Sequence, residues 1–319
     1  MKTLLLLGAL ALTINSFAQN VNIPDANFKA YLVGNSLINT NLDTEIQVSE
    51  ANAFGGDIFC NGLNVSDLTG IEAFTALTYL RCFDNQLTSL DVTQNTALTY
   101  LDCYNNQLTS LDLTQNTALN YLYCHLNQLT SLDVSQNTDL TELFCSQNQL
   151  TSLDVTQNTA LTGLFCDNNQ LTSLDVSQNT ALTYLRCNGN QLTSLDVTQN
   201  TALTNLLCDN NQLTCLNVKN GNNANFTIFS ATVNPNLTCI EVDDVAYSTT
   251  NWTNIDPQTS FSTACANPCA LGLNELSNTP KQLVKIVDLM GRETPYKPNT
   301  VFIYVFDDGS TEKVFKMDE

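Results

Sequence analysis

The side chains of this 319-residue chain that could do chemistry are twelve cysteines, one histidine and a regular series of carboxylates. His125 has no partner at metal-ligand spacing. Serines are frequent, but none has the context of a nucleophile elbow. Asp91, Asp112, Asp133, Asp154, Asp175 and Asp196 recur every 21 residues. Aligned carboxylates repel. Calcium is one answer to that repulsion, although each turn offers a single acid. Hydrogen bonds from neighbouring Thr and Ser groups or from backbone N–H are the other. Acid–base neighbours such as Asp102 and Arg81 read as solvated edge charges, and a smooth rod of repeats offers no cleft in which two carboxylates could hydrolyse a bond. The composition therefore points away from an enzyme.

Cys82, Cys103, Cys124, Cys145, Cys166, Cys187 and Cys208 also recur every 21 residues, in an apolar slot. In-register stacking holds such side chains parallel, and a straight column does not converge on a zinc ion. Free thiols buried as small hydrophobes are expected. Cys215, Cys239, Cys265 and Cys269 lie outside the column and allow three full pairings. One or two disulfides are expected among them, with Cys239–Cys265 first.

A candidate metal site precedes the repeats. Asn39, Asn41 and Asp43 stand at positions one, three and five of a loop, Glu45 at seven and Glu50 at twelve. The spacing resembles an EF-hand calcium loop, with Asn39 in place of the usual acid and Thr44 in place of the turn glycine. Calcium is the one cofactor the sequence raises. The loop lies between a helix expected after Asp25, a natural N-cap, and a second near Ser49.

These groups are positioned by a 21-residue unit that runs seven times over residues 77–221, clearest in LTYLDCYNNQLTSLDLTQNTA. Positions 1, 4, 6, 9, 11, 14 and 16 read Leu, Leu, Cys, Asn, Leu, Leu, Val. A repeat of this length stacks into a solenoid. Alternation around positions 3 to 7 predicts one strand per turn and a parallel sheet. LTSLDV alternates again, predicting a second strand or extended segment. Asn85 and its equivalents at position 9 are expected to hold the turns through side-chain bonds. Asn95 and its equivalents at position 19 mark the turn into the next unit.

The variable positions are those that project from the first sheet. Position 3 reads Tyr79, Tyr100, Tyr121, Glu142, Gly163, Tyr184, Asn205. Position 5 reads Arg81, Asp102, Tyr123, Phe144, Phe165, Arg186, Leu207. Position 7 reads Phe83, Tyr104, His125, Ser146, Asp167, Asn188, Asp209. Aromatic rings carry much apolar area at low entropic cost, so this face is the candidate binding surface.

The pattern resembles the leucine-rich repeat family, with cysteine in the third leucine place of LxxLxLxxNxL and a length similar to short bacterial repeats. The resemblance implies a mainly β solenoid with a parallel sheet and an extended second face, here with a small helical N-terminal cap and a small β segment at the C-terminus. After the linker at 271–280, VKIVDLMGRE, a Tyr-Val strand, Asp308-Gly309 and a final KVFK resemble a shortened C-terminal sorting domain of the type IX secretion system of the Bacteroidetes. That implies the secretion machinery as a partner through residues 281–319.

Residues 1–19 read as a secretory signal: one lysine, an apolar run, then small and polar residues. No later stretch could span a bilayer. The expected divisions are then a cap over 20–57, an irregular lead-in repeat over 58–76, the repeats, a closing cap over 222–270, the linker and the tail. The net charge of −20 disfavours nucleic acid and anionic lipid. A secreted or outer-membrane surface protein that binds an extracellular protein or polysaccharide is the leading expectation. A self-associating or adhesive matrix element is the alternative, and a hydrolase the least favoured.

Overall fold

A computed structural model describes residues 19–266, 269, 283–287, 294, 300–306 and 311–316. The expected signal segment, apart from Gln19, and the expected linker lie outside them. The chain divides into two units, at Cys269 and Ala270.

The first unit is a parallel solenoid. Its strands are β1 Asp57–Phe59, β2 Tyr79–Arg81, β3 Tyr100–Asp102, β4 Tyr121–Tyr123, β5 Glu142–Phe144, β6 Gly163–Phe165, β7 Tyr184–Arg186, β8 Ser194–Asp196, β9 Asn205–Leu207, β10 Cys215–Asn217, β11 Ile228–Ser230, β12 Cys239–Glu241 and β13 Ser260–Ser262. Nine of them form one sheet in the order β1-β2-β3-β4-β5-β6-β7-β9-β11. Equivalent residues stand in register from coil to coil, as in Tyr79↔Tyr100↔Tyr121↔Glu142. Ladder bonding continues past each strand, as in Cys82 N–H to Asp102 O at 2.8 Å and Asp84 N–H to Tyr104 O at 3.1 Å.

The chain then turns through a left-handed residue. Asp84, Asn105, Leu126, Gln147, Asn168 and Asn210 have φ near +50°, and Gly189 takes the same place. A side chain is strained there, least so for Asn. The next residue is the ladder asparagine. Asn127 Nδ2 donates to Cys103 O and Cys124 O, and its Oδ1 accepts Leu108 N–H at 2.9 Å. Every coil repeats this arrangement, so the bend is held by buried, satisfied amides.

The position-19 asparagines do more than mark a turn. Asn95 to Asn200 are fully buried and form a second ladder. Asn116 Nδ2 donates to Val92 O and Asn95 O, both at 2.9 Å. Between the two ladders lie the leucines and valines of positions 1, 4, 11, 14 and 16 together with the cysteines. The thiols are free and buried, and the column gains an eighth member: Cys60 follows β1, which pairs with β2, so the lead-in coil is in register. Burial pushes the Cys60 thiol up to about 12 and holds the others well above their ordinary value, which disfavours the reactive thiolate.

The second face departs from a uniform strand pattern. Its chain stays extended, but strands appear there only in the sheet β13-β12-β10-β8. The two disulfides, Cys215–Cys269 and Cys239–Cys265, have cysteines in β10 and β12 and lie at this end. The second of them is the pairing expected first.

Both ends of the core are closed. α1, Ala26–Gly34, buries Phe28 and Leu32, and Asp25 Oδ1 accepts the N–H groups of Asn27 and Phe28. α2 spans Val48–Ala53. At the far end Trp252 stacks on Phe229 at 4.1 Å and meets Phe261 edge-on at 5.9 Å. As an apolar residue of the closing cap, Val245 would be expected to join this cover. It is 37 % exposed instead, because it is the first residue of α3, Val245–Asn251, and the end is already filled by rings.

The second unit has three antiparallel strands, β14 Leu283–Val287, β15 Thr300–Phe306 and β16 Thr311–Lys316. They match the strands expected from the tail. Asp308 and Gly309 lie outside the described residues.

Candidate binding face

Alternation fixes what the first sheet shows. In each coil the residues at positions 4 and 6 are buried, as Leu101 and Cys103 are, so positions 3, 5 and 7 project outward. Register then places side chains of one position beside each other at strand spacing. The rings use this spacing to stack. Phe83, Tyr104 and His125 form one row, with centroids 4.6 and 4.5 Å apart. Tyr123, Phe144, Phe165 and Tyr184 form another at 4.6, 3.9 and 4.8 Å. Tyr100 connects to this row through Tyr123 at 5.3 Å and stacks on Tyr79 at 5.2 Å. Arg81 extends it, with its guanidinium 4.9 Å from the Tyr100 ring and 5.2 Å from that of Phe59. The sequence shows no reason to single out Phe59, which is 44 % exposed. Only the register of β1 on β2 brings it into the row.

Stacking changes what is exposed. The rings cover one another's faces, and most are half-buried. Phe59 at 44 % and Tyr121 at 36 % are the exceptions. The surface therefore presents ring edges and tyrosine hydroxyls.

Polar groups bond across coils. Tyr123 Oη donates to Glu142 Oε2 at 2.8 Å, and burial together with that carboxylate raises the phenol. Arg186 pairs with Asp167 at 3.2 Å, and the Asp167 side chain is almost wholly buried. His125, Ser146 and Asp167 are successive residues of position 7. They do not form a nucleophilic relay: Ser146 donates to Asp167, and His125 Nδ1 is buried without a hydrogen-bond partner. Burial lowers the His125 imidazole.

Asp102 departs from the sequence expectation. It is 6 % exposed rather than a solvated edge charge. Its row neighbours Arg81 and Tyr123 both lie against the Tyr100 ring, at 4.9 and 5.3 Å from its centroid. Among the described residues Arg81 and Asp102 form no ion pair. Asp102 Oδ1 and Arg81 Nε are buried without a hydrogen-bond partner. Burial pushes the Asp102 carboxyl up to about 6, against the pull of the Tyr104 N–H and the Arg81 charge.

The aspartate column of the second face is satisfied locally. Asp91 Oδ1 accepts Thr93 N–H at 2.9 Å and Thr93 Oγ1 at 2.7 Å, and the bonds recur at Asp112 and Asp154. These bonds lower the carboxyls.

The loop from Asn39 to Glu50 gathers all five residues of its spacing, and N–H groups engage their oxygens. Glu50 Oε1 accepts Thr40 N–H, Thr40 Oγ1 and Asn41 N–H, and its Oε2 accepts Gln47 N–H. Asp43 Oδ1 accepts Glu45 N–H, and Asn41 Oδ1 accepts Asp43 N–H. Lys29 meets both oxygens of Glu45, at 2.7 and 2.8 Å. Asn39 is 1 % exposed and donates to Val33 O and Asp43 O, while its Oδ1 stays unpartnered. Among the described residues no group of three His, Cys, Asp or Glu side chains is placed to hold a metal ion.

No protein-family model and no curated protein matches this chain. Solved structures do. Internalin C2 of Listeria monocytogenes is 21% identical over 71% of this chain and 99% of its own, with a TM-score of 0.52. The functional domain of InlJ from the same organism, described as including a cysteine ladder, is 23% identical over 94% of this chain and 98% of its own, with a TM-score of 0.38. A leucine-rich repeat protein of Leptospira interrogans is 23% identical over 65% of this chain and 59% of its own, with a TM-score of 0.49. At these identities the likeness is one of fold, and internalin C2 carries it. The repeat unit of this chain is a leucine-rich repeat solenoid, mainly β, with a parallel sheet and few helices. Among the described residues no helix is long and apolar enough to cross a membrane.

Proposed function

We propose that this chain is a non-catalytic binding module, exported to the cell surface or beyond, whose first-sheet face contacts a partner protein. One observation carries the reading: coils with the same core and the same turn differ at positions 3, 5 and 7, and the aromatics there join into continuous rows. The rows also favour protein over polysaccharide. A sugar ring packs on an exposed aromatic face, whereas stacked rings offer their edges, which carry the positive part of the ring quadrupole. Edges and phenol hydroxyls suit the acceptors and side chains of a protein surface. The tail over 281–319 would direct export through the secretion machinery, and the two disulfides fit an oxidising compartment.

The test replaces Tyr100, Tyr121 and Phe144 together with serine in the full chain. Hot-spot aromatics each contribute about 2 kcal/mol or more. Capture of extracellular proteins on an array should fall at least about a hundredfold with an unchanged circular dichroism spectrum. Undiminished capture refutes the face as the binding surface. Concentration-dependent assembly that survives the substitutions supports the adhesive alternative.

A further inference from the structure

The first-sheet face holds one carboxylate that its own fold leaves incomplete. Asp102 is 6 % exposed, and its Oδ1 has no hydrogen-bond partner. A buried carboxylate normally has a cation or several N–H groups on it. The cation within reach in sequence terms, Arg81 on the neighbouring strand, is diverted: its guanidinium lies over the Phe59 and Tyr100 rings. Asp102 projects outward from β3, so the cover over it is made of outward side chains, chiefly those of Arg81, Tyr100 and Tyr123. Parted by a partner, those rings would flank an incoming cation, as the Phe59 and Tyr100 rings already flank Arg81. The charges near Asp102 are mixed, while the chain as a whole is acidic. Among the outward groups of the three coils around Asp102 the charged ones are Arg81 and Asp84 on the preceding coil, with Tyr100 and Tyr104 beside it and Tyr123 and His125 on the next. The whole chain carries −20.

Resting on the reading of this face as a protein-binding surface, we propose that Asp102, walled by Tyr100, Tyr104 and Tyr123, is the receptor for an arginine side chain of the partner. A guanidinium supplies the N–H donors that Oδ1 lacks, and its flat face suits a slot between rings. A second strength of the fit is charge: an acidic solenoid draws a basic partner, and one buried carboxylate fixes where the arginine seats.

Two heptapeptides serve as probes, identical except that a central arginine in one is citrulline in the other. Citrulline keeps the shape and removes the charge. Calorimetric titration of the full chain should show the arginine peptide binding about tenfold or more tightly than its counterpart. Asp102→Asn should bring the two within about twofold, while Asp154→Asn on the second face leaves the preference intact. A thermal melt shows that each variant is folded. Equal affinity for the two peptides, failure of both to bind, or a preference that survives Asp102→Asn overturns the proposal. These results are separable from the wider reading. If the serine variant of Tyr100, Tyr121 and Phe144 loses its protein partners while Asp102→Asn changes nothing, the face binds protein and the arginine receptor is wrong. If the serine variant keeps its partners, the face itself is wrong.

Discussion

The two faces of the solenoid are built from the same coils at the same repeat, yet they satisfy their polar groups in opposite ways. On the second face each aspartate bonds to the residue two places ahead. The bond closes within one coil, so it repeats unchanged wherever the local sequence repeats. On the first face the bonds and stacks run between coils: Tyr123 to Glu142, Arg186 to Asp167, ring upon ring. Such contacts depend on which residues two different coils happen to present. They leave a remainder, which is Asp102, Arg81 and His125 with buried atoms unpartnered. A face that is satisfied coil by coil is a wall. A face whose bonds run between unlike coils leaves some atoms unsatisfied, and it is the face proposed here to meet a partner.

The comparison can be attacked at three points, beginning with the structure both faces share. Asn127→Ala removes the turn amide between them and strands Leu108 N–H in the core, while Cys103 O and Cys124 O each lose one of two amide donors and keep those of Asn106 and Asn148. Urea denaturation should show a loss of about 3–5 kcal/mol. A smaller loss means that the coils can relax around a missing ladder residue, and neither face is then as rigid as argued.

The second point is Asp102. Its carboxyl is pushed from 3.8 to about 6 in the folded chain, so folding binds the proton more tightly than the unfolded chain does. Stability from this group is fully present below the unfolded value and is lost as pH rises through about 6. Asp102→Asn should therefore stabilise the protein at neutral pH by about 1–2 kcal/mol, with some of the full shift screened by solvent. The gain should fade on acidification and vanish near the ordinary carboxylate range. Thermal melts of both chains across pH 4 to 7.5 check it, at roughly the range where carboxylates titrate. Equal stability at neutral pH would mean that the carboxylate is solvated after all, and the contrast between the faces would collapse.

The smallest effect belongs to the second face. Asp154→Ala removes two hydrogen bonds to Thr156, both at an exposed turn. A loss under about 1 kcal/mol is expected, since water replaces the acceptor. A larger loss would show that the aspartate column does more than close its own turns.

Much of this was legible in the residues. A 21-residue period places equivalent positions at equal height, so the core, the cysteine column and the asparagine turns follow from it. Asp25 read as a cap because a carboxylate before a helical face has N–H groups to accept. Cys239–Cys265 was the first expected of several pairings, and the structure adds Cys215–Cys269. Other features could not be read. Phe59 and Cys60 precede the regular units and join the sheet only through the register of β1. The LTSLDV segments are nearly identical along the chain, yet strands form among them only from Ser194 onward. The five loop residues from Asn39 to Glu50 have the spacing of a calcium loop, but spacing does not say whether their oxygens face an ion or the chain's own N–H groups.

The sequence alone determined which side chains share a column and which way each one leaves the sheet, because a fixed period and a strand's alternation are one-dimensional facts. It could not determine how those side chains lean once they are out. Arg81 and Asp102 are neighbours at position 5 and read in the sequence as solvated edge charges. Only in three dimensions does the arginine turn to the rings of Phe59 and Tyr100 and leave the carboxylate covered. That choice sets ring stacking against charge pairing among several coils at once, and it is settled by the packing of all of them together.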